Sequence, residues 1–277
     1  MIQIHQAREG ELAAAGALWA DTFGDGPGFQ RDFYRLCGPG GPLVLTEDGE
    51  LRAMLALPQV YLSFGADAPV RAGYVYALAC APARRGEGWA SMLVETAAGL
   101  AGHRGCECLL TVPAEPELFG FFAKNGFRPG FSLREAAAQP APAPAAEVSP
   151  EEYAVLREGL LAGRAHTVYN SGQLAFQRGL CPHPGSGLYR LELAHGPGCA
   201  AVENWPGSPV VKELLCAKSD TEQGAGACAA LCGAAVTVRV PAEPGEGRPF
   251  GAVRWLAGKA PARWTAGQEG WLGLAFD

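Results

Sequence analysis

The chain has no block of lysines or arginines, no apolar run near the length a bilayer requires, and no G-x-x-x-x-G-K-[ST] phosphate loop. Each absence removes a class of function. A nucleic-acid footprint needs clustered cations, whereas here 22 Lys and Arg are outnumbered by 28 Asp and Glu, for a formal charge of −6. Neutral or cationic small partners are the expectation, and no nucleic acid. A membrane span needs about 18 consecutive apolar residues, so no membrane partner is expected either. Without Walker-type residues a phosphate-loop nucleotidase is excluded. The opening MIQIHQAREG lacks the apolar stretch of a secretory signal, so the nine cysteines are expected as reduced thiols of a cytoplasmic protein. Charge is sparse at 18%, but 48% hydrophobic residues exclude a disordered chain.

A length of 277 residues favours two cores. The segment EAAAQPAPAPAAEVSPEEY, residues 135–153, alternates proline with alanine and reads as an extended, polyproline-like connector. The expected organisation is a first domain over 1–134, a connector over 135–150 and a second domain over 151–277. The first domain reads as a strand, two helices, strands around an Asp48-Gly49 turn, a buried strand over 72–82, a helix, a strand, a short helix ending near Gly126, and a last strand from Phe127. That pattern predicts an α/β (α+β) fold with a mixed sheet and helices on its faces. The second half repeats the element order more faintly, with WLGLAFD as its last strand, and suggests a structural duplication.

The stretch CAPARRGEGWASML, residues 80–93, follows the buried strand and opens a helix. Such a junction aims free backbone N–H groups at one spot, where the helix dipole adds about half a positive charge. An anion is the natural occupant. Gly86 and Gly88 can adopt φ > 0 and let a bulky diphosphate approach the backbone. A dinucleotide fingerprint is missing its third glycine. What fits is Arg85-x-x-Gly88-x-Ala90, which resembles the coenzyme A loop of the GNAT N-acetyltransferase superfamily. FGFFAKNGF, residues 119–127, resembles that superfamily's later motif, a short helix that ends in polar residues and Gly-Phe. The resemblance covers the first half of the chain, where it implies the GNAT fold. A second, degenerate GNAT-like domain would follow and would close the acceptor pocket or mediate homodimerisation.

The resemblance also implies roles for residues. The backbone of Leu78, Ala79 and Cys80 would pair with the pantetheine arm of acetyl-CoA, and Arg85, Gly86, Glu87, Gly88, Trp89, Ala90 and Ser91 would hold the pyrophosphate. Thr111, Val112 and Pro113 would line the other side, with Phe119 and Phe122 packing against the cofactor. The implied activity is acetyl-CoA-dependent transfer of an acetyl group to a primary amine of a small molecule or peptide, with no metal. An alkyl amine with a pKa near ~10.4 must be stripped of its proton, and a thiolate with a conjugate pKa of about 8.5 gains from a nearby acid. Family members often place a tyrosine where this chain has Phe122. Tyr74 and Tyr76 on the central strand could serve as acid or relay, or be core tyrosines with satisfied hydroxyls. Asp21 and Asp25 are candidates for the base. The missing hydroxyl at 122 also leaves open a non-catalytic acyl-CoA sensor or scaffold.

Other signals have plainer explanations. Gln223-x-x-Gly226 looks like a second copy of the loop, but Ser219-x-x-Glu222 reads as a capping box that would put Gln223 inside a helix. Cys181-x-His183 and His195-x-x-x-Cys199 offer four metal-type ligands, but the C-x-H pair is too tight for a usual zinc site. Cys106, Cys108, Cys228 and Cys232 read as buried, unreactive thiols.

Overall fold

The computed structural model describes residues 1–276 except 39, 66, 67, 263 and 265–269. The alternating IQIHQ forms β1 (Ile2–Gln6), followed by α1 (Leu12–Phe23) and α2 (Pro27–Leu36). Gly24, in the left-handed region, ends α1, and Pro27 opens α2, as their fixed or permissive φ angles favour. Asp48 and Gly49, at φ 51° and 84°, turn β2 (Leu43–Glu47) into β3 (Glu50–Ala56). Next come β4 (Gln59–Ser63), β5 (Val70–Tyr74) and β6 (Tyr76–Cys80). The single strand expected over 72–82 is therefore two. Then follow α3 (Trp89–His103), β7 (Cys108–Thr111), α4 (Leu118–Lys124), β8 (Arg128–Ala138), β9 (Ala145–Glu147), α5 (Pro150–Leu160), β10 (His166–Val168) and α6 (Ser171–Gly179). The chain finishes with β11 (Gly187–Leu193), β12 (Gly196–Glu203), β13 (Val210–Leu215), α7 (Thr221–Cys232), β14 (Val236–Pro241) and β15 (Arg248–Trp255). The mixed α/β class is as expected.

Two compact units emerge, each discontinuous in sequence. The first comprises Met1–Tyr61, Val70–Pro129 and Gly251–Pro261; the second comprises Leu62–Pro69, Gly130–Phe250 and Ala262–Asp277. In the first, β1, β2, β3 and β6 form an antiparallel sheet in that order. β5 pairs in parallel with β7, and β7 pairs antiparallel with β15 (Ala252 opposite Thr111). Leu93, Val94, Ala97 and Ala101 recur at helical spacing along α3 and are buried on Leu43, Leu45, Ala53 and Leu55 of the sheet.

In the second unit, β13 and β14 are parallel, joined through α7, and β14 pairs antiparallel with β8. Both units thus contain a parallel pair joined through a helix and flanked by an antiparallel strand. In each case that flanking strand comes from the other half of the sequence. A buried ion pair anchors the second unit: Arg157 Nε donates to Glu213 Oε1 at 2.9 Å, and Tyr153 Oη donates to the same oxygen at 2.9 Å. The Trp271 indole N–H also donates to Glu213, so the carboxylate is paired and hydrogen-bonded as a buried charge must be.

The second half of the chain differs from expectation in three places. Residues 135–138 are not part of a spacer but close β8 against β14, and 145–147 pair as β9 with β11. The alanines between the prolines keep their N–H groups and proline keeps its carbonyl: Ala141 donates to Gly226 O (3.0 Å), and Pro144 O accepts from Glu192 N–H (2.9 Å). That close pass also explains Gly226, where a Cβ would lie 2.7 Å from the Ala141 Cβ. Second, the Ser219/Glu222 capping box does not form. Asp220 is the N-cap residue of α7, and its carboxylate accepts from the His195 backbone N–H (2.9 Å) and pairs with the His195 ring (2.6 Å). Gln223 does lie within α7, where its side chain accepts from Ala194 N–H. Third, WLGLAFD makes a single bridge, Trp271 with His166, and then turns.

A fragment ending at residue 134 lacks β15 and leaves one edge of β7 unpaired. It is expected to show no cooperative thermal transition by circular dichroism, whereas the full chain does. A fragment melting cooperatively at the full-chain Tm would contradict the strand assignment.

Candidate functional site

The site begins where the central strand divides. Up to Val75 the chain is tied to β7: Val75 N–H donates to Leu110 O (2.8 Å), and Thr111 Oγ1 donates to Val75 O (3.0 Å). Beyond it, β6 pairs with β3 alone, with a register shift between Met54 and Ala56. Ala77 takes the left-handed φ of 48° at this bulge. β6 is consequently the edge of its sheet among the described residues. Its outer edge offers backbone donors and acceptors to an extended guest, as an added strand would use them.

The second component is the loop into α3. After a 3-10 turn at Pro82–Arg84, Arg85 is extended, and Gly86 and Gly88 take φ 87° and 86°. Gly88 is the N-cap residue of α3, with no side-chain cap, so the first-turn amides of Trp89, Ala90 and Ser91 have no helical acceptor. Left-handed residues beside helical ones turn successive N–H groups toward one point, which makes an anion-binding concavity. No atom lies within 4 Å of a Cβ built at either glycine. Glycine is required there by its φ, and its bareness keeps the approach clear.

The two arginines of the loop differ. Arg84 Nη2 contacts Glu47 (2.8 Å) and Glu87 (2.9 Å), and its guanidinium lies 4.7 Å from the Trp89 ring centre. It clamps the loop to the β2–β3 hairpin. Arg85 is exposed beside the amides. Cys80 is half-buried; burial pushes its thiol pKa up, against the opposing pull of Arg85 and a hydrogen bond from the Ala90 amide. The thiol is held neutral.

The remaining sequence-selected residues divide into two groups. Leu78 is half-buried on β6 and Ala79 is buried. Glu87 and Trp89 contribute backbone to the loop, while their side chains face Arg84. Thr111 is buried with its hydroxyl committed to Val75, and Pro113 is buried just after β7. Phe119 is half-buried, but Phe122 turns into the core, only 5% exposed and edge-on to Phe121 and Phe127. Tyr74 and Tyr76 fall on different strands because of the break at Val75. Tyr74 is 3% exposed, whereas Tyr76 is half-buried and stacks on Phe33 at 4.9 Å between ring centres. Asp21 is exposed; Asp25 is half-buried, accepts from the Trp19 indole at 2.7 Å, and has its pKa raised by burial. Cys181 and Cys199 are buried, His183 packs edge-on to Trp205, and among the described residues no group of three or more metal-type ligands comes together. At the strand–helix junction of the second unit, β13 to α7, the helix likewise has no side-chain cap, and the Asp220 carboxylate is turned to His195. Arg84's clamp and the left-handed Ala77 escaped the sequence reading. Glu47 and Glu87 were the available signal for the first, and nothing in the residue type signals the second.

The sequence and the fold have counterparts in known proteins. Residues 11–127 match the model of the acetyltransferase (GNAT) family. The fold extends the likeness over most of the chain. A GCN5-related N-acetyltransferase from Anabaena variabilis ATCC 29413 superposes with a TM-score of 0.69 at 13% identity, covering 92% of this chain and 73% of that one. A GCN5-related N-acetyltransferase from Kribbella flavida gives 0.67 at 17% identity, over 92% and 72%. Eis1 from Mycobacterium abscessus gives 0.62 at 16%, over 92% and 74%. At these identities the likeness is one of fold. A search of curated protein sequences finds no match.

Because Gly88 is left-handed in open space, Gly88→Val is expected to cost about 1–2 kcal/mol of stability, from backbone strain alone. Denaturant unfolding measures this, and unchanged stability would show that the φ assignment is wrong.

Proposed function

We propose that the protein is an acetyl-CoA-dependent N-acetyltransferase that moves an acetyl group to a primary amine of a small molecule or peptide. The match of residues 11–127 to the acetyltransferase (GNAT) family supports acyl transfer in general. The observation that carries the finer reading is the adjacency of two features: an open strand edge at β6 and, a few residues on, a glycine concavity at the head of a 15-residue helix. A molecule with an extended amide-bearing arm and a diphosphate fits both. Acetyl-CoA supplies an activated acyl group as a thioester.

The chain's own contribution is mostly positional. The Gly86–Ser91 amides and Arg85 would fix the diphosphate, and the edge of β6 would hold the arm, so the acyl carbon is delivered toward the Val75 break. Phe122 has no hydroxyl and lies in the core, so any proton for the leaving thiol comes from elsewhere. Tyr76 is the better placed of the two strand tyrosines, because it is half-buried at the start of β6 while Tyr74 is enclosed. Half-buried Asp25, with its raised pKa, is a base closer to neutrality than a solvated carboxylate. The formal charge of −6 suits an amine that arrives protonated.

Release of free thiol from acetyl-CoA, measured against polyamines, aminoglycosides and peptide N-termini, tests this directly. At least one acceptor is expected to stimulate release, and Tyr76→Phe to lower kcat by about tenfold or more while Tyr74→Phe leaves it within twofold. Cofactor binding with no acceptor-dependent release from any amine would instead indicate a non-catalytic acyl-CoA sensor.

A further inference from the structure

The outer face of α5 departs from the pattern of a helix that covers a core. Tyr153 and Arg157, one helical turn apart, point inward to Glu213, and the Glu158 carboxylate is committed to His166 at 3.0 Å. The outward positions 151, 152, 155 and 159 would then ordinarily be polar. Glu151 and Glu152 follow that rule. Val155 does not: it is 77% exposed, more than any other large hydrophobic side chain of the described residues except Met1. A β-branched residue is also a poorer helix former than the lysine or glutamate a solvated position would take. Gly159, one turn on, is exposed with nothing within 4 Å of a Cβ built on it, so no long side chain shields Val155 from that side.

Val155 borders a groove of about 420 Å³ that runs between the outer side of α5 and β11, with Val148, Leu156, Glu151, Glu152 and Arg190 as its other walls. All six residues lie in the second unit. Glu152 is consumed by the capping box of α5, where its carboxylate accepts from Ser149 N–H at 2.9 Å. Glu151 has no hydrogen-bond or ion-pair partner among the described residues. Arg190 gives its Nε to Glu192 Oε1 at 2.6 Å, and its Nη groups donate to nothing among the described residues. The groove thus has an apolar floor, an unanswered carboxylate and a half-answered guanidinium, and no ion pair joins the two.

A surface with both signs of charge and an apolar centre is complementary to itself. We propose that this groove is a self-association surface, on which a second copy of the chain sits across a two-fold axis. In such an isologous contact residue i meets j and j meets i, so each Glu151 receives the Nη groups of the partner's Arg190, and each Val155 covers the other copy's Val148 and Leu156. The fork of an arginine suits this, because it can bond a carboxylate through two N–H groups at once. A purely cationic or purely anionic partner would answer one of the two charged groups and repel the other. Six residues per copy are fewer than the roughly 20–30 of a stable interface, so the dimer is a weak, reversible one. The inference stands on the second unit alone and does not rest on the acyl-CoA reading.

Sedimentation equilibrium of the full chain, from about 5 μM to about 500 μM, tests it. The natural chain is expected to rise from its monomer mass of 28.9 kDa toward twice that value across the range. Val155→Glu should remain monomeric throughout. Glu151→Arg and Arg190→Glu should each weaken the dimer about tenfold or more, and the two together should restore it to within about threefold, since the pair is then reversed rather than lost. All three positions are exposed, and an unchanged thermal transition by circular dichroism confirms that each variant is folded. A natural chain that stays monomeric at the highest concentration, a dimer that survives Val155→Glu, or single reversals that the double variant does not rescue would each overturn the proposal.

Discussion

One strand that changes partners governs the first unit. Through Val75 the chain is hydrogen-bonded to β7, and after it to β3, with Ala77 turned left-handed to make the change. Breaking a ladder leaves polar groups that would each cost about 1–3 kcal/mol if buried without partners. The structure limits that cost locally. The Thr111 hydroxyl takes the Val75 carbonyl, and the remaining edge of β6 stays accessible to an incoming chain. The same break separates Tyr74 from Tyr76 and gives the two tyrosines different surroundings.

The helix that follows turns this opening into an anion site. A glycine N-cap leaves α3 without side-chain capping and costs it intrinsic stability, and the compensation comes from the other face of the helix. Leu93, Val94, Ala97 and Ala101 bury that face, while Arg84 clamps the loop through Glu47, Glu87 and the Trp89 ring. The amides are thereby preorganised, at a fixed distance from the strand edge. At the corresponding junction of the second unit α7 also lacks a side-chain cap, and the Asp220 carboxylate at its N-cap is taken by His195.

Much of this was legible in the residues. The Asp48-Gly49 turn, the strand–glycine–helix junction at 80–93 and the late FGFFAKNGF segment each have a local cause, in left-handed φ or helical spacing, that sequence exposes directly. What was hidden depends on pairing. Alanine at 77 carries no mark of the bulge, since it is the change of partners that forces its φ. The Pro/Ala stretch reads as a spacer because its individual propensities are extended and unpaired, yet the intervening alanine amides and the bare Gly226 let it pack on α7. The crossing of β8 and β15 between the two halves of the sequence is invisible for the same reason: each is an ordinary strand, and only its partner identifies its unit. Phe122 shows the limit of reading roles by position, since a residue aligned with a catalytic hydroxyl turned out to be part of the core.

The central claim is that the backbone amides of Gly86 to Ser91 and the free edge of β6 grip one extended, diphosphate-bearing ligand. Titrating coenzyme A into isotope-labelled protein and following backbone amide resonances tests it most directly. The account predicts large, saturable shifts at Gly86, Gly88, Ala90 and Ser91 together with Leu78, and small ones around Asp220. Saturable binding that leaves those amides unmoved, or that shifts the Asp220 junction instead, would contradict it.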